Sequence, residues 1–251
     1  MIKLVQKDLK LFLANKRDML LTFALPIIII SLFAFIFGNM NNDEQGKIAG
    51  LVHSVAGTAV FMLLFSVAEI GGSLLDEKQE GMLKKILCSP MHPNNILFEK
   101  LVFANLISIV QLLVMFVYAW LVFGLDIMHH LPSLTLMIFA TSYACSSFGI
   151  LLASFSKSRK QVQSLSTLIV IVMSAIGGSM VPLFIMPEII QKIAVVSVNY
   201  WGIQGFYDIF WKLVPISDFT FLSKVLILIG IGTLLNFIAL IMFKKNILKI
   251  A

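Results

Sequence analysis

The stretch LVFANLISIVQLLVMFVYAWLVFGL, residues 101–125, contains no charged side chain. About 20 apolar residues in an α-helix are enough to cross the hydrocarbon core of a bilayer. Lipid offers no hydrogen-bond partners, so a spanning segment must satisfy its own backbone, as a helix does. Residues 101–125 therefore predict a transmembrane helix.

Outward from this stretch, similar apolar runs recur along the chain. Only 13% of the residues are charged and 59% are hydrophobic, whereas about 25% are charged in an ordinary soluble domain. We predict an all-α integral membrane protein with a single transmembrane domain over residues 1–251. Its six spans are expected at about 19–38, 51–75, 101–125, 133–155, 164–187 and 225–243.

The basic residues predict how these spans are oriented. Fifteen of the 19 Lys and Arg lie before the first span, in the loop 76–100, between spans four and five, or in the C-terminal tail. Basic residues accumulate in the cytoplasmic loops of membrane proteins. Both termini are therefore expected in the cytoplasm. This topology accounts for the net charge of +6 without a nucleic-acid partner.

Two segments outside the spans carry patterns of their own. Residues 1–18 are basic and amphipathic, with apolar residues at helical spacing, which favours a helix lying on membrane lipid. A simple juxtamembrane anchor is an equally good interpretation. Residues 188–224 include the aromatic-rich NYWGIQGFYDIFW, which is typical of a bilayer interface and predicts short external re-entrant helices.

The loop 76–100, DEKQEGMLKKILCSPMHPNNILFEK, is polar but has an apolar stripe formed by Met82, Leu83, Ile86 and Leu87. This spacing predicts a short cytoplasmic helix that ends at the prolines. Such a helix suits a groove on another protein. Lying flat on lipid is the alternative, and the spacing alone does not separate the two.

Two motifs resemble the type-2 ABC-transporter permease family. The first is E-x-x-E-G-x-L-x-x-x-L-x-S-P at residues 77–90, with Lys100 opening the next span. The second combines a Gly-rich fifth span with Pro182, Pro187 and Trp201. Two features depart from the family: Met82 stands where Thr is usual, and about a dozen residues connect spans one and two where many members carry a large external domain.

The resemblance implies a permease subunit of an ATP-driven exporter in the cytoplasmic (inner) membrane of a bacterium. A separate ATPase subunit would bind ATP and Mg²⁺, and this chain would bind no cofactor. A second copy, or a related permease, would complete the translocation path. The family's docking loop corresponds here to Glu77, Glu80, Gly81, Leu83, Ile86, Leu87, Ser89 and Pro90.

The sequence supports the separate ATPase, because it contains no G-x-x-x-x-G-K-[ST] phosphate-binding loop. We therefore do not expect an enzyme. Spans without midplane charge favour an amphipathic or hydrophobic cargo such as a lipid, drug or peptide. Residues that could line its path are Phe61, Met62 and Phe65 in span two and Met173, Ile176 and Met180 in span five. Packing or lipid contact is the alternative role for these side chains.

A few titratable side chains are candidates for separate sites. Glu69 is the one carboxylate within a predicted span, and hydration or a bond to a neighbouring helix is expected for it. His53 is expected at the outer interface. His129 and His130 are adjacent and could bind a metal, but a solvated pair is usually not a site. No catalytic or metal site is predicted.

Two other function classes are open. The sequence IGGS occurs at residues 70–73 and 176–179, in spans of opposite direction, which an ion-coupled secondary transporter with an inverted repeat would show. The halves share no flanking similarity. A membrane-embedded enzyme would need converging catalytic groups, and none of the four histidines lies at catalytic spacing to Glu or Ser.

Overall fold

The computed structural model describes residues 2–40, 44–82 and 94–246, and the regular structure in these ranges is helical. This confirms the all-α prediction. A π-helical turn at Leu20–Ala24 joins the second helix to the third. In chain order the helices are α1 Ile2–Ala14, α2 Lys16–Met19, α3 Leu25–Met40, α4 Glu44–Gln79, α5 Asn94–Phe123, α6 Leu131–Phe155, α7 Arg159–Ile176, α8 Glu188–Ala194, α9 Val198–Phe210 and α10 Phe219–Asn246.

Among the described residues, five helical stretches are long and apolar enough to cross a membrane. Each contains most or all of one predicted span, so five of the six predicted spans fall on such helices. The chain is thus built as a multi-pass helical membrane protein. The five stretches are Lys16–Ile36, Gly46–Gln79, Asn94–Phe123, Met128–Phe155 and Phe219–Asn246.

The predicted span 164–187 is not one uninterrupted helix. Helix α7 ends at Ile176, and Gly178 follows with a φ of 84°, in the left-handed region that favours glycine. A Cβ atom at Gly178 would lie 2.6 Å from Cγ of Leu183. The run looked continuous in sequence because residues 177–187 are uncharged, but their backbone has left the helix. The count of six spans is therefore not confirmed.

Helix α4 lies at the centre of the bundle, in contact with α3, α5, α6, α7 and α9. In the most apolar 18-residue windows of α4 and α6, 78% of the residues are buried, against 22% in α10. Glycines allow this packing, since a Cβ at Gly71 would lie 2.6 Å from the carbonyl oxygen of Gly149. Helices α4 and α6 thus form the core, and α10 covers it.

Helix α1 packs on protein through part of its apolar face. The ring of Phe12 meets Phe23 and Phe103 edge to face, with centroid distances of 6.3 Å in both pairs. Leu13, on the same predicted stripe, is 53% exposed. The predicted amphipathic helix is confirmed as a helix, and it is seated against α5 and the turn before α3.

The segments between the predicted spans are shorter than the sequence suggested. Helix α4 continues to Gln79 and α5 begins at Asn94, so the predicted loop 76–100 narrows to residues 80–93. Within it, residues 83–93 lie outside the described part of the chain. The predicted external segment 188–224 contains α8 and α9, and α10 already begins at Phe219.

Candidate functional site

Five charged side chains from three helices meet where α4 ends and α5 begins; we call them the α1 ion cluster. The ammonium group of Lys7 lies 2.5 Å from Oε1 of Glu77 and 3.0 Å from Oδ1 of Asp8. Lys100 donates to Asp8 and, at 3.0 Å, to Glu77. Its side chain is 1% exposed. Glu99 is the fifth member and is 2% exposed.

The α1 ion cluster keeps Lys7 and Asp8, its two residues on α1, in their charged forms. Burial disfavours the charged form of Lys7, but its hydrogen bonds to Glu77 and Asp8 outweigh burial and raise the pKa of Lys7 above 10.5. Burial likewise opposes ionisation of Asp8, yet the positive charge of Lys100 and the bonds from both lysines keep the pKa of Asp8 below 3.8. Both groups are therefore charged at neutral pH.

Among the described residues, the cluster contains three carboxyl groups and two ammonium groups, and Glu99 is the carboxyl group that makes no ion pair. Oε1 of Glu99 is buried and accepts no hydrogen bond from the residues that the structure describes. Removing a partner from a buried ion pair is costly, because the remaining charge is left uncompensated. Lys100 is therefore the central residue of the cluster, since it is buried against both Asp8 and Glu77.

The predicted docking residues fall into separate environments. Glu77 is 8% exposed and faces α1 and α5, so it ties helices together. Glu80 is exposed, and Gly81 follows the end of α4 with a φ of 72°, the usual place for a helix-terminating glycine. The remaining predicted docking residues lie outside the described residues; they are Leu83, Ile86, Leu87, Ser89 and Pro90.

A second ionic contact, the α7 bridge, joins α7 to α4. Nη2 of Arg159, the first residue of α7, lies 2.6 Å from Oε2 of Glu69, and Nη1 of the same side chain donates to Asp76. Nε2 of Gln163 donates to Oε1 of Glu69 at 3.1 Å. Glu69 thus has the bond to a neighbouring helix that was one of its two expected roles. Two carboxylates share a single guanidinium here.

Between these two ionic contacts lies an open cleft of about 1300 Å³, lined by α1, α2, α4 and the start of α7. Phe61, Met62 and Phe65 form part of its apolar wall. The rings of Phe61 and Phe65 pack edge to face with centroids 5.1 Å apart. The three residues predicted on span two for a cargo path therefore line one cavity.

The three residues predicted on span five do not line this cleft. Met173 packs against the main hydrophobic core. Ile176 is the last residue of α7, and Met180 lies in the break that follows. The backbone of Met180 is hydrogen-bonded to the ring of His53. The structure therefore separates the two predicted halves of the path within a single chain.

A buried polar network lies at the opposite end of α7. Nδ2 of Asn199, on α9, donates to Oγ of Ser174 at 2.7 Å and to Oγ of Ser179 at 2.9 Å. Nδ1 of His53 lies 2.7 Å from the hydroxyl of Tyr207. The expected position of His53 at the outer interface stays a prediction, but its side chain is enclosed by protein, since only 1% of it is exposed. It is enclosed because α9 folds back over the end of α4.

The adjacent histidines show no metal-binding arrangement. Nδ1 of His129 lies 2.6 Å from Oδ2 of Asp126, and both side chains are exposed. In the ranges that the structure describes, no group of three or more His, Cys, Asp or Glu could hold a metal ion.

Sequence reasoning missed Lys7, Asp8 and Arg159, although one signal was present. Asp8 lies on the same helical face as Val5, Leu9 and Phe12, which places a carboxylate inside an apolar stripe. A charge on such a face needs a partner when the face is buried. No sequence feature paired Arg159 with Glu69, which is 90 residues away.

Most of the chain matches a known protein family. Residues 2–211 match the family model of the ABC-2 type transporter (ABC2_membrane), which confirms the resemblance seen in the loop motif. This match covers every element from α1 to α9. No curated protein matches the sequence significantly.

Proposed function

The chain belongs to the ABC-2 type transporter family, and from this premise we propose that it is the permease subunit of an ATP-driven exporter. Members of the family are membrane subunits of transporters and are not catalytic themselves. In the proposed assembly a separate ATPase subunit binds ATP and Mg²⁺ and docks on the loop 80–93. Two copies of this chain, or one copy and a related permease, form the translocation path.

The α1 ion cluster is the observation that carries the coupling proposal. Glu77 lies three residues before the loop and Lys100 lies seven residues after it, and Nζ of Lys100 is 3.0 Å from Oε1 of Glu77. Both ends of the loop are therefore fixed to each other and to α1. Force applied to the loop by an ATPase would move α4 and α5 together as one unit. Helix α4 contacts five other helices and would pass that motion to the bundle.

The proposed location is the cytoplasmic membrane of a bacterium, with both termini in the cytoplasm. This orientation puts the α1 ion cluster and the loop on the side where ATP is available. It also places the cleft near the cytoplasmic side, because residues of the α1 ion cluster line it, and a cargo for export would enter from that side. An amphipathic or hydrophobic cargo fits the apolar wall formed by Phe61, Met62 and Phe65.

The test is affinity purification of the full chain from its native host in mild detergent, followed by an ATPase assay and identification of the copurifying subunit. We expect a nucleotide-binding subunit with wild type and its loss with Leu83→Asp or Leu87→Asp. Leu234→Asn, at an exposed position on α10 away from the loop, is the control and should retain the subunit. Folded, ATPase-free wild-type protein would reject the proposal and favour a secondary transporter.

A further inference from the structure

We infer that the cleft binds amphipathic cations, with Glu69 as the charged contact and Phe61 and Phe65 as the aromatic contacts. This inference deepens the proposed function and rests on it, because the cleft serves a cargo only if the chain is a permease. It specifies the charge of the cargo, which family membership does not.

The first support is the arrangement of side chains along α4. Phe61, Phe65 and Glu69 follow one another at four-residue spacing, so they lie on one face of the helix. All three line the cleft. Successive positions are about 6 Å apart along the helix axis. A molecule with an apolar body and one positive charge can contact both rings and the carboxylate at once.

The second support is the charge of the cleft wall. Among the described residues, six carboxylates line it, against three cationic side chains. Lys7, from outside the wall, compensates part of this excess through Glu77. Glu69 and Asp76 share one guanidinium, and Glu80 and Asp18 have no ion-pair partner among the described residues. The wall is therefore left with surplus negative charge, which disfavours an anionic cargo.

The environment of Glu69 indicates where the positive charge of a bound cation would lie. Its Oε2 atom is paired with Arg159, whereas its Oε1 atom, among the described residues, accepts only from the neutral amide of Gln163 at 3.1 Å. The side chain is 49% exposed to the cleft. A cation beside Oε1 would neutralise the carboxylate that Arg159 leaves uncompensated. The faces of Phe61 and Phe65 would add a cation–π contribution.

The cleft is large enough for this ligand class. Sites for drug-sized molecules are usually about 300–1,000 Å³, and this cleft is about 1300 Å³. It is open rather than enclosed, as an entry site requires. A small inorganic ion would leave the aromatic wall unused, so a larger organic cation fits the site better.

The test measures binding of radiolabelled tetraphenylphosphonium to the full chain in lipid nanodiscs, with empty nanodiscs as the background. Tetraphenylborate, which has nearly the same shape and the opposite charge, is radiolabelled and measured in separate samples as the matched anion. We expect saturable binding of the cation and no saturable binding of the anion. Glu69→Gln should weaken binding about tenfold, because one charge contact is lost.

Two further variants keep the test independent of folding defects. Phe65→Leu keeps an apolar side chain but removes a ring, and should weaken binding about fivefold while leaving the α7 bridge intact. Glu188→Gln, exposed on α8, should leave binding unchanged. Equal binding of both ions, no saturable binding, or unchanged affinity in folded Glu69→Gln and Phe65→Leu would overturn the inference.

Failure of the inference and failure of the proposed function give different results. The binding assay contains no ATPase subunit, so it is read independently of copurification. Copurification of an ATPase without cation binding would overturn the cation site and retain the permease function. Cation binding without any copurifying ATPase would uphold the site's chemistry and reject its place in an ATP-driven exporter.

Discussion

Replacing Lys100 with Met should strongly destabilise the protein. Met keeps most of the length and apolar volume of the side chain but removes the ammonium group that bonds to Asp8 and Glu77. Lys7 would then be the sole cation facing three carboxyl groups in the described part of the cluster. Breaking a buried ion pair by removing one partner costs about 3–5 kcal/mol of unfolding free energy. We expect the full cost, since Lys100 is 1% exposed.

The assay is thermal unfolding of the purified protein in one detergent, followed by intrinsic tryptophan fluorescence. For a domain of 150–250 residues, 1 kcal/mol shifts Tm by about 2–4 °C, so Lys100→Met should lower Tm by about 6–20 °C. Lys10→Met is the matched control, because Lys10 is exposed on α1, and its Tm should change little.

Two further variants test the charge pairing that underlies this magnitude. Adding Asp8→Asn to Lys100→Met removes one of the carboxylates left uncompensated, so it should recover part of the lost stability. Glu99→Gln alone should leave Tm unchanged or raise it, because Glu99 is buried and makes no ion pair with the described residues. A Tm of Lys100→Met within about 2 °C of the Lys10→Met control would refute the reasoning.

Three other perturbations have defined outcomes. Gly178→Ala should lower Tm, because a Cβ there would lie 2.6 Å from Leu183 and a φ of 84° strains a residue that has a side chain. Gly230→Ala is the control and should not lower Tm, because a Cβ at Gly230 would meet open space. Equal shifts in Tm for the two variants would contradict this reasoning. Asn199→Ala removes two buried hydrogen bonds and should cost about 2–4 kcal/mol in a denaturant titration; a loss below about 0.5 kcal/mol would argue against the network. The pKa of Asp8 is lowered in the folded protein, so the stability that ionised Asp8 contributes is fully present above pH 3.8 and is lost as pH falls through the folded pKa. Hydrogen exchange of α1 should therefore accelerate below pH 3.8. Asp8→Asn should abolish that pH dependence.

The helices could largely be predicted from the sequence, because lipid forces charge-free runs into helices and 101–125 is such a run. The break after Ile176 could not, since Gly177 to Pro182 are as uncharged as the helix before them. Turning out of the helix there depends on the positive φ of Gly178 and on contacts made by α9, which are tertiary facts.

The candidate site divides in the same way. The stripe of Phe61 and Phe65 was found because one helix places both rings on one face. The ionic contacts were missed because they join residues far apart in the chain: Lys7 meets Glu77, and Arg159 meets Glu69. Charge counting identified where polar segments lie, but pairing is set by how the helices pack.

The hydrogen bonds of Asn199 have a mechanical consequence for any outward opening. One amide group holds Ser174, inside α7, and Ser179, beyond the point where that helix stops. These two hydrogen bonds bridge the point where the helix stops, so the end of α7, the segment that follows it and α9 must shift together. A hinge at Gly177 and Gly178 would not bend freely while these hydrogen bonds are intact. In the proposed exporter, outward release of a cargo would therefore require these three parts to tilt as one rigid body, with the hinge at another position in the chain.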